Sequence, residues 1–116
     1  MGEPNPPVSL EVKCEEGVVM VYVWLDDTAD QVKIYSDGTT GTIDYGTPIK
    51  TIASTGGKKL NLVSGTLSLV SDGVYTFGAR AWKGASEEKN TDVIAIAELY
   101  VSTPTAVTDL VIDVVK

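Results

Sequence analysis

The chain has 116 residues, which is enough for one hydrophobic core and too few for two independent ones. Its 43% hydrophobic and 22% charged residues are typical of a globular protein rather than a disordered or fibrous one. The 16 acidic and 9 basic residues give a formal net charge of −7, and no window concentrates Lys or Arg. Because such a surface repels a phosphate backbone, we expect no nucleic-acid partner.

Side chains that many catalytic and metal sites need are scarce. The chain has no histidine, and Cys14 is its only cysteine. An intramolecular disulfide and a zinc cluster are therefore excluded, and the commonest general base is missing. No glycine-framed nucleophile motif is present either. We expect a protein that is not an enzyme and that has no cofactor and no metal.

The longest uninterrupted apolar run, Val18 to Leu25, is far short of the about 20 residues that span a bilayer. It predicts a strand, and we expect no membrane insertion. The opening Met1-Gly2-Glu3-Pro4 has neither a basic region nor an apolar stretch, so it does not read as a secretion signal. Either the protein is cytosolic or its leader lies outside this sequence.

The first half of the chain predicts three strands. Residues 1–7 are proline-rich and predict a leader or linker, because proline lacks the N–H that a sheet ladder needs. Alternating or continuous apolar residues then predict strands at 8–13, 18–25 and 31–36. The first strand places three apolar side chains on one side: Val8, Leu10 and Val12. The second strand is apolar on both faces, with Met20, Tyr22 and Trp24 on one and Val19, Val21 and Val23 on the other.

The second half continues this pattern. Pro48 limits residues 49–53 to an edge strand, and residues 60–69 predict a strand with a bulge or bend at Gly65. Further strands are expected at 74–82 and 92–101. The first of these has an apolar face of Tyr75, Phe77, Ala79 and Ala81. No segment shows the apolar spacing of a helix, so seven short strands predict an all-β, antiparallel sandwich.

Several residues between Pro7 and Val101 resemble a fibronectin type III domain, a member of the immunoglobulin-like superfamily. Pro7 followed by Leu10 and Val12 is similar to the opening of that family, and Trp24 stands where its core tryptophan ends a strand. Leu69 and Tyr75 have the spacing of its tyrosine corner, and the strand after Tyr75 also resembles the family. Two departures are the turn Ser71-Asp72-Gly73, in place of proline-glycine, and Val32, in place of an aromatic residue.

The resemblance implies a seven-stranded, fibronectin type III-like antiparallel β-sandwich over residues 8–103. It also implies that Trp24 and Tyr75 are both largely buried in one core between two sheets. Another immunoglobulin-like family remains an alternative, because many families share this strand pattern.

Residues 104–116 are predicted to be a C-terminal linker and strand. Val107 to Ile112 echoes Val8 to Val12, roughly one such repeat later in the chain. The segment is therefore either the first strand of a following repeat or an added edge strand of the same domain. Since the strand at 92–101 already completes the pattern and Pro104 interrupts a ladder, we expect the segment to lie outside the seven-stranded body. It would extend away or, because it is apolar, pair with an exposed edge.

Four aspartates near the second loop are candidate ligands for a hard cation such as calcium: Asp26, Asp27, Asp30 and Asp37. Their spacing matches no EF-hand. Loop aspartates more often initiate turns, so we predict that role here and no dependence on calcium.

A candidate interaction surface lies on the face shared by the strands at 31–36 and 74–82. If Tyr75 and Phe77 point inward, then Lys33, Tyr35, Arg80 and Trp82 point outward, and aromatic residues with Arg are enriched at binding hot spots. The alternative is that loops cover Trp82, or that the stems of Lys33 and Arg80 pack over the rings. The loop 83–90 lacks an Arg-Gly-Asp tripeptide, and Glu87-Glu88-Lys89 is expected to be its solvated tip.

The sequence favours a non-catalytic structural or spacer module of a larger multidomain surface, secreted or phage-tail-type protein. Its partners would be neighbouring domains of the same polypeptide, and its location extracellular or on a cell or virion surface. The alternative is a protein- or carbohydrate-recognition module. An enzyme with paired carboxylates is the third hypothesis, and a small sandwich offers little cleft for it.

Overall fold

The structure, a computed structural model, describes residues 3–15, 17–69 and 72–99. These residues form strands and no helix, so no helix among them is suited to crossing a membrane. The strands are β1 Ser9–Glu15, β2 Val18–Asp26, β3 Gln31–Ser36, β4 Lys50–Ala53, β5 Leu60–Leu67, β6 Gly73–Lys83, β7 Ser86–Glu87 and β8 Ile94–Leu99. Every predicted strand is present, all but β3 with shifted ends, and β7 is an addition that the sequence did not predict.

The strands form two antiparallel sheets. In the first sheet, β1, β2 and β5 pair in that order. In the second sheet, β4, β3 and β6 pair in that order, and β6 also pairs with β8 and with the two residues of β7. The two sheets share one hydrophobic core, so the fold is all-β and sandwich-like, as expected.

The core lies between the inner faces of the two sheets. The first sheet contributes Val21, Val23 and Leu25 of β2, which are completely buried. The second contributes Ile34 of β3 and Phe77 of β6, also completely buried. Each side chain of this kind contributes about 1.5–3 kcal/mol when it leaves water, so these rows hold the sheets together.

The prediction that Trp24 is buried is wrong. Trp24 is 41% exposed on the outer face of the first sheet, together with half-buried Tyr22. The inner face of β2 is its aliphatic row, and side chains of a strand alternate between faces. Both faces of β2 are apolar, so periodicity alone did not decide which face points inward. The fibronectin type III resemblance at Trp24 therefore does not extend to its burial.

The two strands that pair with β2 also turn every second side chain towards the core. In β1, Leu10 and Val12 pack against the core, whereas Val8 precedes the strand and is exposed. In β5 the buried residues include Val63 and Leu67, while Leu62 points outward.

Gly65 is not a bulge, because the pairing of β5 with β2 continues without a break from Leu60 to Leu67. A Cβ at Gly65 would lie 3.2 Å from the Ile52 side chain of β4. The missing side chain therefore lets the edge strand β4 approach β5 across the open side of the sandwich.

Tyr75 is buried, as predicted, and its ring stacks on that of Phe77 with centroids 5.6 Å apart. Val70 and Ser71, in the predicted corner turn, lie outside the described residues, as do residues 100–116 and every prediction made for them.

The chain enters and leaves the described body at opposite ends. β1 begins where Ser9 pairs with Trp24, near the end of β2, and the preceding Asn5 donates a hydrogen bond to Asp26. β8 ends where Leu99 pairs with Gly73, at the start of β6. β2 and β6 both begin at the end of the sandwich where β8 finishes, and both finish at the end where β1 starts. The entry and the exit of the chain are therefore separated by the length of the strands.

Two leucine-to-alanine substitutions test which face of the first sheet points into the core. Leu25→Ala empties a completely buried site and is expected to lower the free energy of unfolding by about 2–5 kcal/mol. Leu62→Ala, at a position 45% exposed on the adjacent strand, is expected to cost less than about 1.5 kcal/mol. Urea denaturation measures both losses of unfolding free energy, and equal losses would contradict the assignment of Leu25 to the inner face and Leu62 to the outer face.

Candidate functional site

The four candidate residues lie together on the outer face of the second sheet. Lys33 pairs with Arg80 across β3 and β6, Gln31 pairs with Trp82, and Tyr35 pairs with Gly78. All four side chains therefore share one face, as the sequence predicted. Lys33 and Arg80 are like charges in directly opposite positions, which destabilises a sheet unless each finds another partner.

This face is covered rather than open. The loop after β3 brings Tyr45 onto it, and the short strand β7 brings Glu87 from the other side, opposite Trp82. As a result Tyr35 is only 1% exposed and Arg80 only 9%. The expectation of an exposed contact surface at Tyr35 and Arg80 is thus wrong, because the sequence could not show which loops fold over this face.

Tyr45 is held by a glycine beneath it and by Arg80 beside it. A Cβ at Gly78 would lie 2.7 Å from the Tyr45 hydroxyl oxygen, so only glycine leaves room for this ring. The Arg80 guanidinium carbon is 3.7 Å from the ring centroid of Tyr45, in cation–π geometry. Tyr35 packs on the same ring with centroids 5.2 Å apart. We call Lys33, Tyr35, Tyr45, Arg80, Trp82 and Glu87 the stacked layer.

Glu87 is the acceptor that ties the stacked layer together. It accepts hydrogen bonds from the Tyr35 hydroxyl at 2.5 Å and from Lys89 Nζ at 2.6 Å, and it lies 3.8 Å from Arg80 Nη1. Burial by itself would raise the pKa of Glu87. The hydrogen bonds from Lys89 and Tyr35 and the charges of Lys89 and Arg80 outweigh it, so the pKa lies below its ordinary value.

Tyr35 responds to the same contact in the opposite direction. Burial and then the hydrogen bond that it donates to Glu87 raise the pKa of Tyr35 to about 12. Its hydroxyl is therefore a stable donor at neutral pH. It serves as a structural link and not as a proton-transfer group, because a general acid or base works best with a pKa near the ambient pH.

Lys33 and Trp82 complete the stacked layer. The Lys33 ammonium lies 4.1 Å from the Trp82 ring centroid, in cation–π geometry. The indole nitrogen of Trp82 is buried and, among the described residues, makes no hydrogen bond of normal geometry, although it is close enough to the Tyr35 hydroxyl to oppose the rise in the pKa of Tyr35.

The segment after β7 contradicts the expectation of a solvated loop tip at residues 87–89. Glu88 is 4% exposed, and its carboxylate accepts hydrogen bonds from the backbone N–H groups of Ala81 and Asn90 at 2.9 and 2.7 Å. The Asn90 side chain donates to the Ala79 carbonyl at 3.0 Å, and its backbone carbonyl accepts from Arg80 Nε at 2.9 Å. These side chains add to the backbone hydrogen bonds of Ala79 with Val93 and of Glu88 with Ala81, along the part of β6 that β8 does not reach. Lys89 alone of the three is exposed.

Two of the four loop aspartates, Asp26 and Asp37, are used as turn residues, as predicted, whereas Asp30 accepts a hydrogen bond from the backbone N–H of Gly84 at 3.0 Å. Asp26 accepts hydrogen bonds from the backbone N–H and hydroxyl of Thr28. Asp37 accepts from the backbone N–H groups of Thr39, Gly41 and Thr76. The two carboxylates lie at opposite ends of the sandwich, so they do not form one cluster. Within the described ranges, no group of three or more potential metal ligands is found.

A cavity of about 240 Å³ beside the stacked layer is lined by Lys33, Tyr35, Tyr45, Gly46, Pro48, Trp82 and Glu87. Three aromatic rings and a carboxylate are groups that can bind an organic cation. Here, however, Lys33 lies over Trp82, Arg80 lies against Tyr45, and Glu87 is already bonded to Tyr35 and Lys89. The groups that would bind a ligand are thus engaged with each other, and the arrangement fixes two loops onto the sheet.

Sequence reasoning missed Tyr45, Glu87, Glu88 and Asn90. A glycine at position 78, inside a strand, was a signal for a close neighbour, because glycine in a strand often marks an approaching ring or backbone. No comparable local signal pointed to Glu87 or Glu88, whose partners lie on other strands.

A comparison with protein-family models found no match, and neither a search of curated proteins nor one of solved structures gave a match.

The charge on Glu87 is expected to make the fold sensitive to acid. Its pKa is lower in the folded than in the unfolded chain. The stability that ionised Glu87 provides is therefore present above its unfolded pKa, about 4.3, and is lost as the pH falls through the folded value. Glu87→Gln should cost about 1–3 kcal/mol at neutral pH and flatten the stability curve between about pH 5 and pH 3. Denaturation at several pH values measures this. Glu98→Gln, at an exposed position, is the control and should keep the wild-type curve.

The close approach of Tyr45 is tested by Gly78→Ala. The added Cβ must displace the Tyr45 ring, so we expect a loss of about 1–3 kcal/mol in unfolding free energy. In a Tyr45→Ala background the same substitution should cost much less, because the ring that it strikes is gone. A double-mutant cycle by urea denaturation gives the coupling, and additive costs would show that Tyr45 does not need the glycine.

Proposed function

We propose that this chain is a non-catalytic structural module, a fibronectin type III-like spacer in a larger multidomain protein. Its partners in this proposal are neighbouring domains of the same polypeptide. The setting is an extracellular, cell-surface or virion-surface protein, where such modules separate other domains.

The observation that carries this proposal is that the chain enters and leaves the sandwich at opposite ends. Ser9 starts β1 beside the end of β2, whereas Leu99 ends β8 beside the start of β6. β6 has 11 residues, and at the rise of a strand this corresponds to about 36 Å. A module with this path adds its own length between the segments that flank it.

The strand arrangement supports the fibronectin type III-like part of the proposal. In immunoglobulin-like sandwiches the first, second and fifth strands share one sheet, and the third, sixth and seventh share the other. β1, β2 and β5 correspond to the first set, and β3, β6 and β8 to the second. The short β4 joins the second set at its edge through β3.

The stacked layer favours a structural role over recognition on this face. Tyr35 and Arg80 are buried, and their polar groups bond to Glu87 and to the Asn90 carbonyl. A protein or carbohydrate partner at this face would have to displace Tyr45 and Glu87 first. The recognition alternative proposed for β3 and β6 is therefore weaker than the spacer hypothesis.

The spacer hypothesis is tested by replacing residues 3–99 in the parent polypeptide. An unrelated β-sandwich of equal length, with its ends at opposite poles, should preserve the distance between the flanking domains and the activity of the parent. Deletion of the module should shorten that distance, which energy transfer between dyes on the flanking domains measures. If the exchange abolishes the activity of the parent as completely as deletion does, the module has a specific role and is not merely a spacer.

A further inference from the structure

The outer face of the first sheet carries aromatic and aliphatic side chains that are exposed or only half-buried. Trp24 is 41% exposed, and Leu62, its direct neighbour across the β2–β5 pair, is 45% exposed. Tyr22 lies two residues from Trp24 on the same face, about 7 Å away along the strand. An exposed patch of this kind on a small protein commonly marks a contact site.

A shallow groove of about 180 Å³ runs over these side chains. Its apolar floor is formed by Trp24, Tyr22 and Leu62. Its rim is formed by Ser9, Glu11 and Lys13, three of the four outward residues of β1. Ligand sites combine such an apolar surface with a few polar groups that fix orientation.

The charges in the groove cancel. Lys13 Nζ lies 3.8 Å from a Glu11 carboxylate oxygen, and 5.8 Å from the ring centroid of Tyr22. The groove is therefore neutral within a chain of formal net charge −7. Both groups of the pair are more than half exposed, so each can bond to a ligand without loss of a strong ion pair. A neutral ligand rich in donors and acceptors matches this rim.

The shape of the patch argues against a protein partner. The outward residues of β1 are all polar or charged, and β5 turns polar at Ser64 and Thr66, beyond Leu62. Leu60, also exposed on β5, extends the apolar strip on the other side of Leu62. The groove itself is lined by six residues, whereas a stable protein interface uses about 20–30 residues on each partner.

We propose that this groove binds a neutral, extended glycan. The C–H face of a sugar ring would pack on Trp24 and Tyr22, and the hydroxyl groups at the ring edge would reach the rim. There Glu11 accepts hydrogen bonds and Lys13 donates them. Because the sheet face is shallow and open, it fits a ribbon-like chain of β-1,4-linked units. This function adds to that of a spacer and uses the opposite face from the stacked layer.

The test uses the whole chain and three neutral β-1,4-linked oligosaccharides: cellohexaose, xylohexaose and chitohexaose. Calorimetric titration should show binding of at least one of them, with a dissociation constant between about 10 μM and 1 mM. Trp24→Ala should weaken that binding at least about tenfold, and Trp24→Phe, which keeps a ring, should weaken it less. Ile96→Ala, at a residue 68% exposed on the other sheet, is the control and should bind as the wild type does.

Three outcomes would overturn the proposal. The first is the absence of binding by all three oligosaccharides at about 5 mM, a concentration that detects dissociation constants near 1 mM. The second is binding that Trp24→Ala leaves unchanged while thermal unfolding shows the variant to be folded. The third is self-association of the wild type that Trp24→Ala abolishes in sedimentation experiments, which would assign the groove to a second copy of the chain.

Discussion

The whole arrangement depends on which face of β2 points inward. Val21, Val23 and Leu25 form an unbroken buried row, and β2 is the central strand of its sheet. Antiparallel pairing fixes the phase of both neighbours, because a shift by one residue would turn every side chain to the opposite face. Leu10 and Val12 of β1 and Val63 of β5 therefore also point inward. The aliphatic row packs in the same core as Ile34 and Phe77, and the row of Met20, Tyr22 and Trp24 therefore faces outward, half-buried or exposed.

The aromatic side chains on the two outer faces of the sandwich differ in how far the rest of the chain covers them. On the second sheet, Tyr35 and Trp82 are covered by Tyr45 and by the strand β7. Cations from the same chain lie against these rings, and Glu87 satisfies the Tyr35 hydroxyl. On the first sheet, Trp24 lies among Tyr22, Leu62 and the polar outward residues of β1, and it is 41% exposed. An aromatic residue whose ring already has partners in the same chain stabilises the fold, whereas an exposed ring is available to a ligand.

The strands could be predicted from the sequence because their periodicity and turn residues are local signals. The segment 31–36 is identical to β3, and the inward face of β6 was predicted from Tyr75 to Ala81. The burial of Trp24 could not be decided locally, since Met20, Tyr22 and Trp24 are as apolar as the valines between them. The covering of the candidate surface was also beyond a local argument. It requires Tyr45 to meet Gly78 and Glu87 to meet Tyr35, contacts between residues 33 and 52 positions apart respectively.

A spacer and a binding groove are compatible in this fold because they use different sides of the molecule. In the proposed spacer, neighbouring domains would attach through the chain at the two ends, on the sides of Asn5 and Leu99. The groove over Tyr22 and Trp24 lies on a side of the sandwich, along the direction of the strands. In a row of such modules the ends are occupied by neighbours while the side faces stay accessible. Several weak grooves on one polypeptide would then raise the overall affinity for a long glycan, because each bound module increases the local concentration of the next.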